Sequence, residues 1–295
     1  MKLQCQRKHS TPASPNLTFE FDESVDQYLI GVSNFQYTYG KWDHHVKEIK
    51  LSVNSTNSGN RIDAAVVMDL TNGGNNSLGS ESFANISCLA ATGDNSDKAL
   101  QLNNDLSFSS DGSSSPTTLN NNTYINEAVM EGFDLAYSDG HKLRKIYANV
   151  ATDVQQGQSA TLTGTAGMVD DSGHNATTKQ LEGSYLGTYI DGNASGLVVI
   201  EQTYNAQADC NQTTVELGGL LGDKKLTSAT VFLRSFDVEF KSDHSLKTIY
   251  LGARDISFAD QSVTFTPQVS LQDGNGHNTE IGSIKVVVVG TCDPD

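Results

Sequence analysis

Ser33-Asn34-Phe35-Gln36-Tyr37-Thr38-Tyr39 returns twice along the chain, as Glu131-Gly132-Phe133-Asp134-Leu135-Ala136-Tyr137 and as Arg234-Ser235-Phe236-Asp237-Val238-Glu239-Phe240. The three phenylalanines stand 98 and 103 residues apart. The similarity runs on. A histidine precedes an isoleucine by five residues in every copy: His44 and Ile49, His141 and Ile146, His244 and Ile249. Asn76, Asn175 and Asn278 follow their phenylalanine by 41, 42 and 42 residues. A fixed period of this kind is the mark of a chain made of repeated units. The expected units are 1–93, 94–191 and 192–295, close to the usual size of a domain.

Within a unit the apolar residues alternate with polar ones, as in Phe35, Tyr37, Tyr39 and in Ile49, Leu51, Val53. Period two is the signature of a strand with one buried face. Val46 and Ile49 are out of phase by one, as are Leu143 with Ile146 and Leu246 with Ile249, so an irregularity is expected there in each copy. Further strands are expected over 64–70, 162–169 and 263–271, bounded by Asp/Gly/Asn turns. The leading sections carry β-prone runs such as 17–21 and 197–202, and the Ser/Asn-rich stretch 107–122 reads as a surface loop. Six to eight short strands per unit predict an all-β protein of three tandem β-sandwich domains. The period is too long for a single β-trefoil or β-prism counted by strands.

Charged residues make up 18% of the 295 residues, too few for the exposed faces of many helices, which agrees with an all-β class. Against 35 acidic side chains stand 19 Lys and Arg, a net charge of −16 that argues against nucleic acid as a partner. Uninterrupted apolar runs such as Val286 to Val289 are far short of a membrane-spanning helix. The first nine residues lack the apolar centre of a signal peptide.

The four cysteines fall at equivalent places in the first and third copies. Cys5 and Cys88 are 83 residues apart, Cys210 and Cys292 are 82 apart, and the second copy has none. The spacing predicts two disulfides, each tying an opening segment to a closing strand, and hence an oxidising, extracellular or particle-surface location.

Polar residues gather in two turns of each unit. The first turn carries Asp43 and His44, then Asp139 and His141, then Asp243 and His244. The other carries Asn76, then Asp170, His174 and Asn175, then Asp273, His277 and Asn278. In a simple meander the two turns share one end, which makes these residues the candidate ligand-binding set. Five of the seven histidines fall there. The leading expectation is that these side chains brace the turns; a metal or a sugar are the alternatives. No dedicated cofactor is expected, with calcium the cation to look for in so acidic a chain.

Asp43-His44-His45 spells a trio found in one phosphodiesterase family, but the other copies read Gly140-His141-Lys142 and Asp243-His244-Ser245, so the match is accidental. The chain contains no nucleophile elbow, phosphate loop or zinc-protease helix signature. The expected function is therefore a non-catalytic structural or adhesive role in an assembly. Its partners would be copies of itself or other proteins of a particle. A lectin-like protein that binds glycans at the repeated polar ends is the alternative.

Overall fold

The computed structural model describes residues 1–74, 76–93, 100–108, 117–118, 124–155, 159–188, 196–206 and 210–293. Each unit supplies six strands in the same order. The first has β1 (Lys2–Ser10), β2 (Asn16–Glu20), β3 (Val25–Thr38), β4 (Val46–Asn57), β5 (Arg61–Thr71) and β6 (Phe83–Thr92). The second has β7 (Leu100–Phe108), β8 (Thr117–Thr118), β9 (Ile125–His141), β10 (Leu143–Gln155), β11 (Ser159–Val169) and β12 (Thr177–Thr188). The third has β13 (Leu197–Asn205), β14 (Thr213–Glu216), β15 (Leu226–His244), β16 (Thr248–Ala259), β17 (Ser262–Gln272) and β18 (Ile281–Cys292). Of the stretch 107–122, Ser107 and Phe108 end β7 and Thr117–Thr118 form β8; the rest lies outside the described residues. No helix among the described residues is long and apolar enough to cross a membrane.

All-β is what the sequence predicts and what forms. Three self-contained sandwiches are not. The strands make three six-stranded sheets, ordered β1-β6-β3-β16-β17-β14, β2-β5-β4-β9-β12-β7 and β13-β18-β15-β10-β11-β8. Every sheet joins three strands of one unit to three of another. Unit 1 shares a sheet with unit 3, unit 3 with unit 2, and unit 2 with unit 1, so the exchange closes in a ring. Between its third and fourth strands each unit leaves one sheet and enters the next. Each unit changes sheet again between its fifth and sixth strands, and in units 2 and 3 the polar turns at these two crossings meet. Each repeat furnishes half of two sheets.

Apolar patterning explains why the ring holds together. Phe35, Phe133 and Phe236, each no more than 2% exposed, meet one another with ring centroids 5.6, 6.0 and 5.4 Å apart in tilted and edge-on pairs. Such geometry suits aromatic quadrupoles. One continuous core contains these rings together with Ile49, Ile146 and Ile249 from the following strands. A smaller cluster contains Leu29, Val129 and Phe232, from the same three strands as the phenylalanines.

Those strands, β3, β9 and β15, run for 14, 17 and 19 residues, well beyond the usual length. A register shift interrupts each of them two residues before its phenylalanine, skipping Ser33, Glu131 and Arg234. A bulge moves every preceding side chain to the opposite face. Val32, Met130 and Leu233 thereby join the main core, while Leu29, Val129 and Phe232 turn to the second cluster. Both faces of these strands are therefore buried before the bulge, one by each cluster, where alternation predicts one. The irregularity expected after the histidines is also present, between Val46 and Glu48 and between Leu143 and Lys145.

The junction between units leaves little room for side chains. Gly252 pairs with Asn34 across β16 and β3 at a φ of 114°, and a Cβ there would stand 2.2 Å from the Ser33 carbonyl oxygen. Only glycine tolerates both the angle and the contact.

The predicted disulfides do not form. In the β1 to β6 ladder Gln6 lies opposite Cys88 and Cys5 lies opposite Leu89. Residues one apart in register face opposite sides of a sheet. Cys88 accordingly joins the main core and Cys5 packs on the second cluster. Cys210 is exposed in the connection from β13 to β14, while Cys292 is buried at the end of β18. The case for an oxidising compartment from cysteine spacing falls with them.

Candidate functional site

The corner where a unit changes sheets brings its two polar turns together. In unit 2, β9 ends at His141 in one sheet and β11 ends at Val169 in the next, and Asp170 begins the turn that follows. His141 Nδ1 lies 3.2 Å from Asp170 Oδ2, and His174 Nδ1 lies 2.8 Å from the same oxygen. The backbone N–H of His174 donates to Asp170 Oδ1 at 2.8 Å. The two imidazoles are 4.5 Å apart, and Tyr137 packs on His141 from within the same strand.

Unit 3 repeats the arrangement. Asp273 Oδ2 lies 3.0 Å from His244 Nδ1 and 2.6 Å from His277 Nδ1. Its Oδ1 accepts the N–H groups of Asn275 and His277, both at 2.8 Å. The rings are 4.3 Å apart, with Phe240 in the place of Tyr137. In both corners the donor atoms of the His, Asp and His fall within 4.8 Å of one another.

Both carboxylates are buried, with Asp170 and Asp273 side chains 5% and 1% exposed. Burial pushes their pKa values up, but the bonds from the outer histidine ring and from backbone N–H groups outweigh it, so both sit below the ordinary aspartate value. The inner rings of His141 and His244 are mostly covered, and the outer rings of His174 and His277 are 57% exposed.

Unit 1 keeps the frame and lacks the cluster. His44 packs edge-on against Tyr39 at 5.1 Å, where its counterparts pack tilted on Tyr137 and Phe240. The position 37 residues after the phenylalanine, Asp170 or Asp273 elsewhere, is Asn72 here, and the position of the second histidine is Asn76, which is exposed. The corners also touch each other. His44 bridges to Leu246, His141 to Val46 and His244 to Leu143, so each histidine backbone pairs with another unit.

The remaining polar candidates tie turns. Asp43 accepts the N–H of Gly274 from the third unit at 3.2 Å. Asp243 accepts the N–H of Asp171, which accepts that of Asp243 in return, at 2.7 and 2.9 Å. Asp139 accepts from Gly140 within its own turn. Asn175 and Asn278 reach back to the carbonyls of Gly173 and Gly276. The sequence identifies all these residues by type and repeat. It does not pair Asp171 with Asp243, because that bond spans two units.

No protein-family model matches the chain, and no curated protein matches it. Among solved structures, one from the Sulfolobus turreted icosahedral virus ("Life in the extremes: atomic structure of Sulfolobus Turreted Icosahedral Virus") aligns with 64% of this chain and 92% of its own. Identity is 10% and the TM-score 0.13, too low to transfer a fold or a role.

Proposed function

We propose that the chain is a non-catalytic structural building block of a particle shell, fibre or surface layer, acting through contacts with copies of itself or with other proteins of the assembly. The observation that carries this reading is the closed exchange of strands among the three units. No unit can be withdrawn without opening two sheets and the shared core, which suits a part that must resist deformation. The polar turns bond to one another across units, through Asp43 with Gly274 and Asp171 with Asp243, which favours bracing over a role for every turn in holding glycans. An extracellular or particle-surface setting belongs to the same proposal and needs support other than the cysteines.

The test is fractionation of the native source by sedimentation, followed by imaging of the fast fraction. The chain should travel with particles or fibres at a constant ratio to their other proteins, with density for three six-stranded sheets at a repeated position. Recovery of the chain solely as an isolated soluble molecule would overturn the proposal.

A further inference from the structure

The two His-Asp-His corners hold more than the corner needs. Unit 1 makes the same change of sheets, with His44 packed on Tyr39, and does so without the aspartate and without the second histidine. Forming a corner therefore does not require them. Within the chain the two features are present together in units 2 and 3 and absent together in unit 1, which is expected of side chains that share one ligand. A single ring suffices to satisfy the aspartate oxygen. Two rings instead aim the same atom, Nδ1, at it in both corners, at 3.2 and 2.8 Å and at 3.0 and 2.6 Å.

We propose that each of these corners binds one divalent transition-metal ion, held by Nδ1 of His141 and His174 with Asp170, and by Nδ1 of His244 and His277 with Asp273. Two imidazoles and a carboxylate suit zinc, nickel or copper, whereas calcium takes six to eight oxygens. Three protein ligands leave a fourth position for water or for a group on a partner.

Around a tetrahedral ion with bonds of about 2.0–2.1 Å, donor atoms stand roughly 3.3 Å apart. The nitrogen-to-carboxylate distances, 2.6 to 3.2 Å, must lengthen to reach that spacing. The half-exposed rings of His174 and His277, on turns at the surface, can supply that movement. A neutral ring that gives its Nδ1 lone pair to the ion carries its proton on Nε2. Beside His244 the acceptor for that proton is in place, Ser242 Oγ, 3.3 Å from Nε2. The net charge of −16 adds a general attraction for cations. This inference stands apart from the structural role proposed above and can fail without it.

The experiment is a titration of the metal-stripped full chain with Zn2+ by calorimetry, and with Co2+ by its visible absorption. Two ions should bind per chain. His174→Ala should leave one bound ion per chain, and His174→Ala with His277→Ala should leave none over the same concentration range. Each variant loses one hydrogen bond to a buried carboxylate that keeps its inner histidine and backbone partners, so it should stay folded without metal at a modestly lower melting temperature; His45→Ala, at an exposed position outside the clusters, should still bind two. A wild-type chain that binds no ion, or a stoichiometry that does not fall with the number of outer histidines removed, overturns the proposal.

Discussion

Phe35 and Phe236 lie 201 residues apart in the chain and meet edge-on, with ring centroids 6.0 Å apart. Their contact closes the ring of units, because Phe133 touches both. Replacing any of the three by Ala should cost about 3–5 kcal/mol, the usual range for a buried phenylalanine. The loss should appear as one cooperative transition shifted as a whole in denaturant unfolding. Separate melting of a single unit would show that the shared sheets do not couple the units.

The junction at Gly252 leaves no room for a side chain. With a φ of 114° and the Ser33 carbonyl oxygen 2.2 Å from the place of a Cβ, Gly252→Ala should lower stability by roughly 2 kcal/mol or more. Gly219 provides the comparison, because no atom lies within 4 Å of its Cβ position. Gly219→Ala should leave the melting temperature within a degree or two, and equal effects at the two sites would contradict the junction geometry.

Thiol labelling separates the sequence-based disulfides from the packing found here. Burial pushes the Cys5 thiol up to about 12, against a weaker opposing bond from Ser228, and pushes Cys88 well above the ordinary range. Cys292 is buried and Cys210 exposed. Iodoacetamide at pH 8 should therefore modify Cys210 quickly in the native protein, and all four cysteines after unfolding without a reductant. Peptide mapping that finds Cys5 linked to Cys88 would reverse the assignment.

On the face of the sheet formed by β4, β9 and β12, Lys179 donates to Glu48 at 2.8 Å and Lys50 to Asp134 at 3.1 Å. The Lys179 bond is the main cause that holds the Glu48 carboxyl below its ordinary value, against some desolvation. A depressed carboxylate pKa gives stability that is present above the unfolded value and is lost as pH falls through the folded one. Lys179→Met should raise the Glu48 pKa in an NMR titration. It should lower stability at pH 7 by under about 1 kcal/mol, since the pair is partly exposed, and the deficit should shrink below about pH 4. An unchanged Glu48 titration would mean that Lys179 does not hold the carboxylate.

Residue pattern alone determined the threefold repeat, the strands and the turns in which polar side chains gather. Each of these is set by neighbours in the sequence: alternation fixes which face is buried, and Asp, Asn and Gly fix where a strand ends. The histidines and aspartates of both clusters are legible for the same reason, as repeated types at repeated distances from Phe133 and Phe236. Tertiary structure alone decided which strand lies beside which. The corresponding strands of similar units present similar edges, so period two cannot say whether β4 returns to β3 or crosses to β9. The choice is made where Phe35, Phe133 and Phe236 pack together and where Gly252 lets two backbones approach. Cys5 and Cys88 show the same limit on a smaller scale. Their spacing matches that of the other pair, but one residue of register puts the two sulfurs on opposite faces of a sheet, and register is settled by pairing across the chain.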